Sequence, residues 1–307
     1  MNVPPPRRFL LSALVCLALG LPGAVRADPL RILWVVSHSP PMFSLENGRA
    51  PQRPEQLGQG ELDGMLRLLT QRMPQYRHEF VVAEYPRLEA LARAGEPVCS
   101  NLLLRTPERL SWLHFTHTHV PLQARQIHFV TRAELLPRLG LKPGAVVDLA
   151  ALLARPDLKG LLESQRSYGK EVDALLQRHG QALLAQAMPR RGTNLLRMLS
   201  AGRMDFTLDY GVTVAAYNRN EAPPAPLVAL PLGGAPPTTA RATLACARNA
   251  EGREHIAAVD AAVRRLAAEQ PREAWMRSWL GHAPEGSDRE RLERYFDERA
   301  RGGPQID

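Results

Sequence analysis

The stretch "RTPERLSWLHFTHTHVP", residues 105–121, carries two chemistries side by side. Its first half sets Arg109 just after a Thr-Pro turn, where a planar guanidinium can meet an anionic ligand with two parallel hydrogen bonds. The second half gathers His114, His117 and His119, with His128 a little further on, which is raw material for a metal site. The elements on either side decide which half governs.

Upstream, "LRILWVV" (30–36) is a continuous apolar run of the kind buried on both faces of a parallel sheet. A long Pro- and Gly-rich loop follows, longer than an idle connection and so a candidate functional rim. From Leu62 the period changes: Leu62, Met65, Leu66, Leu69 and Met73 fall on one helical face. "HEFVVAEY" predicts a strand, "PRLEALARAG" a short helix stopped by Gly95, and "PVCSNLLL" a third strand. That alternation begins a doubly wound sheet.

Downstream the pattern restarts. "RQIHFVTR" predicts a strand, "DLAALLARPDLKG" and "YGKEVDALLQRHG" helices, and "TNLLRMLSAGRMDFTLDY" a helix running into a strand. "APLVALPL" and "ATLACA" predict strands, "REHIAAVDAAVRRLAAEQ" and "PREAWMRSWLG" helices, and the charged stretch from Ala283 an exposed helical tail. Ligands of open α/β sheets bind beyond the carboxyl ends of the strands, and Arg109 and Ser167 each follow such an end in different units.

At 307 residues, with 45% hydrophobic and 23% charged side chains, the chain has enough apolar material for two modest domains and is no disordered tail. The N-terminus reads as an export signal: Arg7 and Arg8, an apolar run from Phe9 to Leu21, a Pro22-Gly23 break, and cleavage expected after Ala27. The run is well short of the roughly 20 residues that span a bilayer. Removing residues 1–27 takes away Arg7, Arg8 and Arg26 and no acid, so the net charge falls from +8 to +5. The arginines are scattered without interleaved aromatics, which argues against a nucleic-acid partner. Cys99 and Cys246 remain, and an oxidising compartment allows either a disulfide or two buried thiols.

Taken in order, "SPPMF", "GQGELDGMLRLL", "LEALARAGEP", "RTPERLSWLHFTHTHVP", "RSYGKEVDALL", "NLLRMLSAGRMDF" and "AWMRSWLG" give the chain its likeness: it resembles the extracellular solute-binding proteins of family 3, periplasmic receptors of amino-acid-type ABC importers. The resemblance implies an α/β, two-lobed periplasmic-binding-protein fold of type II, with two doubly wound sheets joined by a double-crossing hinge. It implies a signal peptide at 1–27, lobe 1 at 28–124 and 225–282, lobe 2 at 125–224, and a charged tail at 283–307. It also places Cys99 and Cys246 in one lobe, on candidate neighbouring strands, which favours the disulfide.

By the same resemblance, Arg109 holds a ligand carboxylate, and the backbone at Ser167 and Tyr168 completes the grip from lobe 2. Phe43, Trp112 and Tyr210 are expected as cleft walls, with His117 a further ligand contact. Three departures shape the ligand. The acid expected five residues after Asp205 is replaced by Tyr210, with Asp209 one residue early and expected on the opposite face. Leu103 and Leu104 stand where small polar residues are usual, and Ser39 replaces an aromatic, leaving His38, Met42 and Phe43 near the cleft. A small carboxylate-bearing solute is therefore the expected ligand, with an amino acid as one example.

Two other functions stay open on the sequence. A His-x-His pair supplies two metal ligands where zinc needs three or four, so a receptor using His114, His117 and His119 would need His128 or another group. A small dehydratase-like enzyme would need an acid or base in the cleft, for which Glu46, Glu61, His117 and Asp209 are candidates without a spacing that singles one out. The reading adopted is a non-enzymatic periplasmic receptor, monomeric, with no cofactor and no metal, that delivers its ligand to an inner-membrane permease or sensor.

Overall fold

The computed structural model describes residues 1, 30–101, 103–122, 126–163, 166–179, 184–186, 193–233 and 241–307. The expected signal segment, residue 1 apart, lies outside them. In chain order the first unit runs β1 (Leu30–Val36), α1 (Glu61–Thr70), β2 (Tyr76–Val82), α2 (Tyr85–Arg93), β3 (Val98–Asn101) and β4 (Leu113–His119). The second runs β5 (Ile127–Arg132), α3 (Leu136–Leu139), α4 (Leu149–Leu153), β6 (Leu161–Glu163), α5 (Lys170–His179), β7 (Leu184–Gln186), α6 (Thr193–Ser200), β8 (Phe206–Tyr210), α7 (Gly211–Glu221) and β9 (Leu227–Pro231). The chain closes with β10 (Ala242–Ala247), α8 (Ala250–Ala268), α9 (Arg272–Leu280) and α10 (Gly286–Arg301).

The larger sheet has the order β2-β1-β3-β10-β4. Its first three strands are parallel, as the apolar run of β1 requires, and β10 returns antiparallel between β3 and β4. Cys99 and Cys246 stand opposite each other in the β3–β10 register and form a disulfide. On one face α1, α8, α9 and α10 bury Trp34, Leu62, Leu66, Trp279 and Phe296. Each such side chain contributes about 1.5–3 kcal/mol of burial. The opposite face packs Val35, Val98, Phe115 and Ala245 against Tyr85, Leu88 and Trp112.

The smaller unit is built on the antiparallel sheet β8-β5-β9, with the parallel pair β6–β7 joined to it through a bridge from Gly160 to Phe206. Its core holds Phe129, Leu149, Leu162, Phe206 and Leu208. Because β9 pairs with β5, the chain is still in the smaller unit at Pro231, later than the expected return to lobe 1 near Ala225. The C-terminal stretch also differs from expectation. It is helical, but Leu292, Tyr295, Phe296 and Arg299 of α10 are buried, so one face is core and not exposed tail. The segment after it reaches back to β4 through a bridge between Ile306 and Thr116.

The long loop after β1 is tied down from α1. Asp63, in the first turn, accepts the backbone N–H of Ser44 at 2.7 Å and of Gly60 at 3.0 Å. A side chain at Gly60 would place its Cβ 2.2 Å from the Met42 carbonyl oxygen, so only glycine lets the loop lie so close. This holds Ser39, Pro40 and Met42 at the edge of the hollow beside Arg109.

Candidate functional site

Arg109 is positioned by its own motif. Thr106 accepts the Arg109 backbone N–H at 3.2 Å through its hydroxyl, which starts a short 3-10 turn at Arg109–Ser111. The guanidinium lies over the Tyr85 ring at 4.6 Å, donates from Nε to the Tyr85 hydroxyl at 3.2 Å, and from Nη1 to the Leu104 carbonyl at 2.9 Å. It is 6% exposed. Burial raises the pKa of Tyr85, opposed by the neighbouring guanidinium, so the phenol stays neutral and polarised beneath the cation.

Arg109 opens onto a hollow of about 70 Å³. From the larger unit Ser39, Pro40, Met42, Leu103 and Leu104 share its wall. The smaller unit contributes Arg166, Ser167, Asp209, Tyr210 and Thr213. A wider, open cleft of about 500 Å³ continues from it past Tyr85, Glu89, Glu108 and Asp173, sharing Arg109, Arg166 and Ser167. The two units thus face each other across one continuous cleft, in which the larger presents a guanidinium and the smaller a mixed pair.

That pair is Arg166 and Asp209. Arg166 Nη2 donates to Asp209 Oδ1 at 3.0 Å, and Nη1 lies 3.5 Å from Glu163 Oε2. The rings of Tyr168 and Tyr210 flank the guanidinium at 5.0 and 5.3 Å. Burial alone would lower the Arg166 pKa, but Asp209, the two tyrosines and Glu163 raise it well above the ordinary value, so it is a permanent cation. Asp209 is 2% exposed; its Oδ1 also takes the Tyr210 N–H at 2.8 Å, while Oδ2 has no hydrogen-bond partner. Asp209 and Tyr210 both reach the hollow, because β8 ends there and turns into α7. The expected turning away of Asp209 is therefore not seen.

The other expected residues divide. Ser167 lines both hollows and Tyr210 the inner one. Tyr168 is buried beneath Arg166 and its hydroxyl accepts the Glu163 backbone N–H at 3.1 Å. Burial raises its pKa to about 12, so it too stays neutral. Phe43 turns into the core of the larger unit. Trp112 is also core, behind Tyr85 with its Nε1 donating to Glu108 at 2.8 Å, and it lines neither hollow. His117 lies on β4 opposite Thr243 and lines neither hollow. Arg166, Tyr85 and Thr213 were not singled out by the sequence. Only the position of Arg166, directly before Ser167 and beyond β6, hinted at it.

The histidines do not converge. The β4–β10 register shifts between Ala242 and Thr243, so that Thr243 faces His117 and Ala242 faces His119. Adjacent residues of β10 point to opposite faces, and such a bulge therefore sends His117 and His119 to opposite faces as well. His114 Nδ1 is 3.0 Å from the Asp307 carbonyl and His128 Nδ1 2.6 Å from that of Gln126. His119 packs edge-on to Trp279 and lies 3.8 Å from Glu61. Burial lowers the pKa of His119 to about 4. Among the described residues no group of three His, Cys, Asp or Glu could hold a metal ion. The guanidinium half of the 105–121 stretch therefore faces the cleft, and the histidine half builds the sheet.

No protein-family model matches the chain, and no curated protein matches it by sequence. Solved structures do match. A structure from work on glutathione import through GshT and the cystine ABC importer TcyBC of Streptococcus mutans aligns over 86% of this chain and 99% of its own, at a TM-score of 0.62 and 12% identity. A histidine kinase sensor domain with similarity to periplasmic binding proteins aligns over 84% of this chain and 100% of its own, at 0.61 and 19%. The chain has the fold of the two-lobed periplasmic binding proteins. A putative L-cystine ABC transporter protein from Listeria monocytogenes gives 0.59 and 14%, over 83% of this chain and 98% of its own. In a periplasmic-binding-protein fold, the hollow beside Arg109 is the cleft between the lobes. Among the described residues no helix is long and apolar enough to cross a membrane.

Proposed function

We propose that the chain is a periplasmic solute-binding protein that captures a small carboxylate-bearing solute, an amino acid or a related metabolite, in its interlobe cleft. One observation carries the reading: the buried Arg109 guanidinium opens onto a hollow whose opposite wall comes from the other lobe. A ligand carboxylate at Arg109 then touches both lobes and favours their closure, a hinge motion. Solved neighbours described as an amino-acid ABC transporter substrate-binding protein and an L-cystine ABC transporter support delivery to an inner-membrane ABC permease. The histidine kinase sensor domain among the neighbours keeps a receptor role within the same reading.

On this reading the segment ending near Ala27 directs export, the mature protein is a monomer, and the ligand leaves unchanged. Lobe 1 takes residues 28–124 and the later return of the chain, lobe 2 the residues between. The test is a thermal-shift screen of amino acids and small organic acids on wild type and Arg109→Ala. A ligand at a hundredfold excess over Kd adds about 2.7 kcal/mol of apparent stability. Arg109→Ala should lose that gain and keep its fold; an unchanged shift in the variant sinks the proposal.

A further inference from the structure

An anion in the cleft would ordinarily find backbone donors at the start of α5. In this protein the two donors just ahead of the helix, the Tyr168 N–H and the Ser167 hydroxyl, are taken. Asp173 Oδ1 accepts the Tyr168 N–H at 2.7 Å, and Oδ2 accepts the Ser167 hydroxyl. What the smaller lobe turns toward the hollow instead is the Arg166 guanidinium, with Asp209 beside it.

Arg166 is held before any ligand arrives. Two carboxylates and two aromatic rings fix it, so it forfeits little rotamer freedom when it binds. Those carboxylates engage two of the five N–H donors of a guanidinium. From the other lobe Arg109 opens on the same chamber of about 70 Å³. Arg166 enters that chamber already charge-balanced by Asp209 and Glu163, so what it offers a ligand carboxylate is its remaining N–H donors.

We infer that Arg166 is the second half of the carboxylate clamp: the ligand carboxylate bridges Arg109 of the larger lobe and Arg166 of the smaller, while Asp209 Oδ2 accepts a hydrogen bond from a donor on the adjoining ligand atom. This rests on the reading of Arg109 as the ligand anchor. The ligand class follows from the three groups. It is a compact carboxylate with an amino or hydroxyl group next to it, and any longer substituent leads out into the open cleft toward Glu89 and Glu108.

The experiment measures Kd by calorimetry on the full mature chain, using the twenty L-amino acids, L-lactate, L-malate, acetate and succinate, and the carboxamide of the tightest binder. Wild type should bind an amino or hydroxy acid well above acetate and succinate, and reject the carboxamide. Arg166→Lys keeps the charge and removes the fork. It should raise Kd about 10- to 100-fold, the equivalent of one charge-assisted hydrogen bond, and shrink the preference for carboxylate over carboxamide. A merely structural role would weaken both ligands alike. Because Arg166 is buried, the paired variant Arg166→Gln/Glu163→Gln, which removes one charge of each sign, guards against simple unfolding, and the exposed Arg178→Ala serves as control. If both Arg166 variants fold and bind as wild type while Arg109→Ala does not bind, the clamp has no lobe 2 arginine and the inference falls with the function intact. If wild type binds none of the panel, the function itself falls.

Discussion

Asp173 closes the approach to α5 on itself: its carboxylate lies 2.7 Å from the Tyr168 backbone nitrogen, a donor that the sequence offers to a ligand anion. The sequence points to that tip as a ligand contact, and in the structure the Tyr168 N–H and the Ser167 hydroxyl there bond the protein's own Asp173. The helix start is thereby a structural joint, and the inferred clamp uses the neighbouring guanidinium in its place.

Removing that joint has a measurable cost. Asp173→Ala should lower the unfolding free energy by about 1 kcal/mol, the usual worth of a capping side chain. The vacated donors should also make the melting temperature rise with added acetate more steeply than in wild type. Urea melts with and without acetate check both; identical curves for variant and wild type would show that the carboxylate does not hold the tip.

Acid should weaken the fold in part through His119. Its folded pKa, about 4, lies below the ordinary histidine value of 6.5 because burial disfavours the charged ring. The contribution is therefore complete above pH 6.5 and lost as pH falls from 6.5 toward 4, by about 3 kcal/mol in all. His78, His114, His117 and His255 are shifted the same way by burial. His119→Gln should flatten the slope of stability against pH in that window without abolishing it. Denaturant melts between pH 7 and 4 read the difference.

The disulfide should matter for stability and not for the ligand. Cys99 and Cys246 lie in the larger sheet, outside the lining of either hollow. Replacing both with serine should cost about 2–5 kcal/mol with Kd unchanged. Melts and calorimetry on the double variant decide; a large loss of affinity would tie the bond to the site.

Arg299 and Asp260 form a fully buried pair at 2.7 Å, shared with the Thr116 hydroxyl. Arg299→Met leaves Asp260 with only the partly exposed Arg264, at 3.2 Å, as its cation, so it should destabilise by up to about 3–5 kcal/mol. Arg299→Met/Asp260→Asn should recover part of that loss. No recovery would mean that the arginine contributes through packing alone.

The sequence was most informative where a single period ran unbroken. The apolar run of β1 and the face Leu62, Met65, Leu66, Leu69 of α1 led directly to observed elements, and the motif around Arg109 to the cleft. Leu292, Tyr295, Phe296 and Arg299 of α10 do fall at helical spacing, but the density of charge around them masked a core face. The parting of His117 from His119 depends on one extra residue in a ladder, which no local pattern announces. Arg166 was missed because its partners, Asp209 and Tyr210, arrive over forty residues later, and only the fold brings them together.

The bond between Cys99 and Cys246 spans 147 residues, and every element of the smaller lobe lies inside that span. A protease that nicks any loop of that lobe would accordingly produce two fragments that still travel as one molecule. They would part on a denaturing gel only after thiol treatment, so an intact band in its absence says nothing about whether the lobe has been cut.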